Sequence, residues 1–152
     1  VIGQPVKEAM LQRLAEKNRS LKMLLNSPLL SRTPGTVFLK GDYDTVKGLG
    51  AFFKELKFNV AHSVCTHKIT GTAAEGIEYF KEEKKYLQML KDIRHCLVMA
   101  DEDTIAKTDA TNLKICVSHP CFSHRTIAKH LPFMGERGAD MLFEYIQQYV
   151  NM

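Results

Sequence analysis

Short apolar runs alternate with stretches of helical spacing along this chain, and that alternation limits its fold more than any other feature. Thr36-Val37-Phe38-Leu39, Phe58-Asn59-Val60-Ala61, His95-Cys96-Leu97-Val98-Met99 and Leu113-Lys114-Ile115-Cys116-Val117 read as strands bounded by turn residues. From Tyr43 the apolar residues Val46, Leu49, Phe52, Phe53 and Leu56 fall at helical steps. Gly48 and Gly50 weaken that helix, but small residues let a helix lie close to a sheet. Thr70-Gly71-Thr72 leads into a second predicted helix with Ile77, Phe80, Tyr86, Leu87 and Leu90 on its apolar side. Strands alternating with helices predict an α/β fold with a mainly parallel central sheet covered on both faces.

Before these elements, Val6 to Arg19 predicts an amphipathic helix, with Val6, Met10, Leu11 and Leu14 as its apolar residues. The expected organisation is therefore an N-terminal helix in residues 1–19 and one α/β domain over 20–152. Ser27 to Gly35, with two prolines and a glycine, reads as a loop. The segment Ala139-Asp140-Met141-Leu142-Phe143-Glu144-Tyr145 fits either a strand or a helix. With 152 residues, 45% of them hydrophobic, the chain can build one real core but hardly two. It opens on Val1 rather than Met, as a fragment or processed product would.

The net charge of +4 is spread out, and the densest run, Lys81-Glu82-Glu83-Lys84-Lys85, mixes signs. Nucleic acid is therefore not an expected partner. Neither a transmembrane-length apolar stretch nor a signal peptide is present, so no membrane association is expected. Four irregularly spaced cysteines do not make a disulfide framework, which points to reduced thiols and a cytoplasmic location.

Candidate chemistry gathers at the ends of the last two strands. Leu113–Val117 runs out into Ser118-His119-Pro120-Cys121-Phe122-Ser123, which sets the Cys121 thiol where α/β proteins collect ligands. Asp101-Glu102-Asp103 follows the preceding strand and could supply general bases or Mg²⁺ ligands. An acidic turn capping whatever follows is the simpler reading, and the preferred one. Two Cys/His groups, His62, Cys65 and His67 and then Cys116, His119, Cys121 and His124, lack the paired short gaps of zinc sites. No metal or other cofactor is expected. Arg32 lies in the Ser31-Arg32-Thr33 loop, able to fork onto a carboxylate.

Taken in order, these pieces resemble a caspase. Ser20-Leu21-Lys22-Met23-Leu24-Leu25-Asn26 is similar to the family's first core strand, and Ser31-Arg32 with Gly35-Thr36 to the loop whose arginine holds the substrate aspartate. Asp44 through Val60 resembles the first helix and second strand, and Cys96-Leu97-Val98-Met99 the strand leading to the catalytic histidine. Lys114 through Cys121 resembles the strand that carries the nucleophile, and Ala139–Tyr145 the strand that opens the small subunit. The resemblance implies a caspase-like three-layer αβα fold with Cys121 at the nucleophile's position, Asp101 at that of the lost histidine, and Arg32 in the aspartate pocket.

The departures decide what chemistry to expect. Where the family has Ser-His-Gly this chain reads Ala100-Asp101-Glu102, so the base and an oxyanion-hole glycine are replaced. Around the nucleophile, Gln-Ala-Cys-Arg-Gly becomes His119-Pro120-Cys121-Phe122-Ser123. The stretch from Asp101 to Cys121 is also short for the family, and the family's substrate-groove residues and dimer-forming final strand are absent from this chain. Losing a base or nucleophile typically costs on the order of 10⁴–10⁶ in rate. A carboxylate of pKa about 4 is a poor base for a thiol of about 8.5. The expectation is thus a catalytically inactive caspase-like protein that binds and regulates a caspase or a caspase-activating adaptor in cell-death signalling. Three alternatives stand beside it. One is a BRCT-like phosphopeptide-binding module, with Val37–Gly41 as first strand, Cys65-Thr66-His67-Lys68-Ile69 as its Thr-His strand, and Lys40 and Thr66 on the phosphate. The others are an active cysteine protease using Cys121 and an unrelated α/β enzyme or small-molecule binder.

Overall fold

The computed structural model describes residues 35–71, 75–118 and 120, together with helical positions at 8, 9, 12, 15, 16, 19, 138, 141 and 142. The chain divides into two compact units, residues 1–32 and 33–152. In the first, Glu8, Ala9, Gln12, Ala15, Glu16 and Arg19 are helical and exposed, all within the predicted Val6–Arg19 helix.

The second unit is an α/β fold. Its elements run β1 (Thr36–Gly41), α1 (Tyr43–Glu55), β2 (Asn59–Cys65), α2 (Glu83–Asp92), β3 (Leu97–Ala100), α3 (Glu102–Lys107) and β4 (Leu113–Cys116). The strands form one sheet in the order β2-β1-β3-β4, parallel throughout. Register explains how two faces are filled. Val37, Phe38 and Leu39 pair with Leu97, Val98 and Met99, so paired residues share a face and successive ones alternate. Phe38, Val64, Cys96, Val98 and Ala100 form one buried cluster with Leu90 and Ile93, flanked by Tyr86, Met89 and Ile105, which puts α2 and α3 on that side. The opposite face carries Leu39 against α1, where a Cβ built on Gly50 would lie 3.7 Å from Leu39 Cδ1. The three layers follow from that alternation.

Local chemistry sets the element ends. Asp42 caps α1, its Oδ1 accepting from the Thr45 N–H at 2.8 Å. After α1, Lys57 takes the left-handed conformation (φ 66°) that lets Phe58 N–H reach the Phe53 carbonyl at 2.9 Å. A second left-handed residue, His95 (φ 53°), is held by Asn112. The Asn112 side chain accepts from Cys96 N–H at 3.0 Å and donates to the Ile93 carbonyl at 2.9 Å, closing the turn from both ends.

Three expectations need correction. The second helix starts at Glu83, not near Thr70. Gly76 adopts positive φ, Glu78 bridges Val64 as an extended residue, and the described residues 75–82 are turn or extended rather than helical. The Thr-His strand of the BRCT-like reading is also absent: β2 ends at Cys65, and 66–70 lie beyond it. Within Ala139–Tyr145 the two described residues, Met141 and Leu142, are helical and buried, where the caspase resemblance implied a strand. Ser20–Asn26 lies outside the described residues, and the place between β2 and β3 belongs to Thr36–Gly41.

Candidate functional site

β3 is buried at every position and ends at Ala100, which delivers Asp101 to the carboxyl end of the sheet with only 3% of its surface exposed. A carboxylate so placed must find partners. Asp101 is the N-cap of α3: Oδ1 accepts from the Thr104 N–H at 2.9 Å, and Oδ2 accepts from the Thr104 hydroxyl at 2.8 Å. Lys40, on the neighbouring β1, brings its ammonium 2.9 Å from Oδ2. The same ammonium donates to Thr104 Oγ1 at 2.7 Å and lies 5.0 Å from the centre of the Tyr86 ring.

The hydrogen-bond accounting closes around Thr104, which is fully buried. Its hydroxyl has one proton, given to Asp101, and accepts from Lys40 and from the Tyr86 hydroxyl at 2.8 Å. One side chain each from β1 and α2 thus converges on the β3–α3 junction. Burial alone would raise the Asp101 pKa, yet the Lys40 and Thr104 hydrogen bonds outweigh it and hold the carboxyl below its ordinary range. Burial opposes charge on Lys40 too, and its bonds to Asp101 and Tyr86 overcome that, raising its pKa. Both groups are held ionised, as a structural pair.

The end of β4 lies alongside. Val117 N–H donates to the Ala100 carbonyl, and Glu102 N–H to the Pro120 carbonyl, each at 3.0 Å. The Ser118 hydroxyl reaches the Lys40 carbonyl at 3.2 Å. The residues flanking Asp101 therefore touch the segment that leads directly into Cys121. Cys121 and Arg32 themselves lie outside the described residues, as do His119 and His124.

Chemically, this arrangement is that of a locked junction. The preferred reading of Asp101-Glu102-Asp103 as an acidic cap agrees with the observed geometry. Asp101 has both oxygens engaged and a lowered pKa, which removes proton-accepting capacity near neutral pH. The first Cys/His group comes together only in part, and of the second only Cys116 is among the described residues. His62 Nδ1 is 2.9 Å from Glu78 Oε1, Cys65 Sγ is 3.9 Å from His67 Nδ1, and Cys116 sits on β4. Among the described residues no three His, Cys, Asp or Glu side chains are placed to hold a metal ion, and Cys65 and Cys96 are free thiols. Burial pushes the Cys96 thiol pKa up, which keeps it neutral. Among the described residues no helix is long and apolar enough to cross a membrane.

Sequence reasoning reached Asp101 but missed Tyr86 and Thr104 as its partners, and considered Lys40 only as a phosphate ligand. The available signal was a lysine ending the apolar run Val37-Phe38-Leu39 and an aspartate ending Leu97–Ala100, complementary charges at the same end of two strands. In comparisons with known proteins, no family model, no curated protein and no solved structure matches the chain.

Proposed function

We propose that this chain is a catalytically inactive, caspase-like α/β domain that binds and regulates a caspase or the assembly that activates one. The observation that carries the reading is the state of Asp101. The caspase resemblance puts the general base at the end of β3 and the nucleophile just past β4, and these two chain ends adjoin through the Glu102–Pro120 hydrogen bond. The acid standing at the base position is committed to Lys40 and Thr104, so it cannot accept a proton from a thiol. A parallel β2-β1-β3-β4 sheet with helices on both faces is compatible with this scaffold. Protein binding then remains as the use of the fold.

The test is co-purification of the full chain with caspases, with and without Cys121→Ala. Capture of a caspase, equal for both forms, is the expected result. Failure to bind any caspase, or hydrolysis after aspartate by the purified chain, would overturn the proposal. Phosphoserine-peptide binding lost on Lys40→Ala or Thr66→Ala would replace it with the BRCT-like reading. The Lys40 ammonium is already spent on Asp101 and Thr104, which argues against that outcome.

A further inference from the structure

The opposite end of the sheet carries a feature that this function does not use. An open groove of about 680 Å³ lies between α2 and the β1–β2 strands. Its floor is apolar, formed by Phe38, Ile93 and Cys96, with Met89 half-buried beside them. Its helical wall carries Lys85, Gln88, Met89 and Asp92, positions i, i+3, i+4 and i+7 of one α2 face. Lys85, Gln88 and Asp92 are exposed. The two charges sit at opposite ends of this stripe, about 10 Å apart by helical rise.

That order of charges is self-complementary. If a second α2 lies antiparallel across the groove, centred on Gln88 and Met89, each Lys85 meets the other copy's Asp92 and the two Met89 side chains meet in the middle. This is the arrangement a two-fold interface requires, the same patch facing itself. The present partners of these charges are weak and exchangeable. Lys85 pairs with Glu82 at 3.0 Å between exposed side chains, and Asp92 accepts from Gln88 at 3.2 Å within the same helix. The groove's lining carries Lys85 and Arg94 together with Asp92, so it holds both signs, which favours a partner bearing both signs in reverse order.

We propose that the groove seats a second copy of this chain, docked through antiparallel pairing of the two α2 helices. The inference does not depend on the caspase-like reading. Its test is sedimentation of the full chain across a range of concentrations, with Lys85→Asp and Asp92→Lys made singly. Wild type should show a concentration-dependent dimer. Each single variant should dimerise at least tenfold more weakly, because like charges then face each other. An equal mixture of the two variants should form a one-to-one dimer again, since their stripes complement each other. Circular dichroism and thermal melting should show both variants folded, the positions being exposed. A monomeric wild type at every concentration, single variants that dimerise normally, or a mixture that fails to pair would each overturn the proposal.

Discussion

Two helices in this fold begin with the same pattern, Asp42-Tyr43-Asp44-Thr45 before α1 and Asp101-Glu102-Asp103-Thr104 before α3. In both, the first aspartate accepts from the threonine N–H three residues on, at 2.8 and 2.9 Å. Asp42 is exposed and needs no buried counter-charge: the Thr45 hydrogen bonds are the main cause of its lowered pKa. Asp101 is buried, and the same cap would leave a charge stranded in the protein interior. It has acquired Lys40 from β1, and Tyr86 from α2 completes the group through Thr104. An identical local motif is therefore a simple cap at one site and the centre of a tertiary network at the other. Burial makes the difference, and burial is set by the sheet.

The largest expected effect tests that claim directly. Lys40→Met leaves the Asp101 carboxylate buried without its counter-charge and should cost about 3 kcal/mol. That is the low end for a broken buried pair, because the Lys40 side chain retains 18% exposure and water relieves part of the penalty. Asp42→Ala removes only an exposed cap and should cost about 1 kcal/mol. Urea unfolding of both variants checks the ratio. Equal losses would mean that burial does not separate the two sites.

A smaller effect sharpens the comparison through pH. The Asp101 carboxyl is held below its ordinary value of 3.8 in the folded chain. The stability it contributes is therefore fully present above that value and lost as pH falls through the lower folded one. Asp101→Asn should flatten the acid limb of the stability curve below about pH 4, at the expense of lower stability at neutral pH. Lys40 gives the mirror case. Its raised pKa makes its contribution present below 10.5 and lost as pH rises through the folded value, a loss that Lys40→Met should abolish. Urea midpoints measured across acid and alkaline series report both limbs. An unchanged acid limb in Asp101→Asn would place the acid sensitivity elsewhere.

What could be read from the sequence divides along the same line. The α1 helix was legible because its information is local: the spacing from Val46 to Phe53 and the cap are enough, and Gly50 does lie against the sheet as its size suggested. The β3 strand was legible as an uninterrupted apolar run, and β4 as an apolar run broken only by Lys114. The start of α2 was not, because apolar residues from Ile77 continue the helical spacing backward into a segment that Glu78 ties to β2. The Asp101 network was least legible. Lys40, Tyr86, Asp101 and Thr104 are separated by up to 64 residues, and only strand order brings them together. Asp-x-Asp-Thr looks the same in sequence whether its cap is wet or dry.

The smallest effect asks whether the network is one unit or a set of pairs. Tyr86→Phe removes the hydroxyl that Thr104 Oγ1 accepts from, but strands nothing: that oxygen still accepts from Lys40 and still donates to Asp101. The ring also stays under the Lys40 ammonium. The loss should be only about 0.5–1 kcal/mol, the net worth of one neutral hydrogen bond. Its value lies in the double-mutant cycle with Lys40→Met. If Lys40 and Tyr86 act through a shared Thr104 hydroxyl, the two losses should fail to add by about 0.5 kcal/mol or more in chemical denaturation. Strict additivity would mean that Tyr86 serves the packing of α2 alone. Asp101 would then be stabilised by a lysine and a cap, and its site would differ from that of Asp42 by a single added charge.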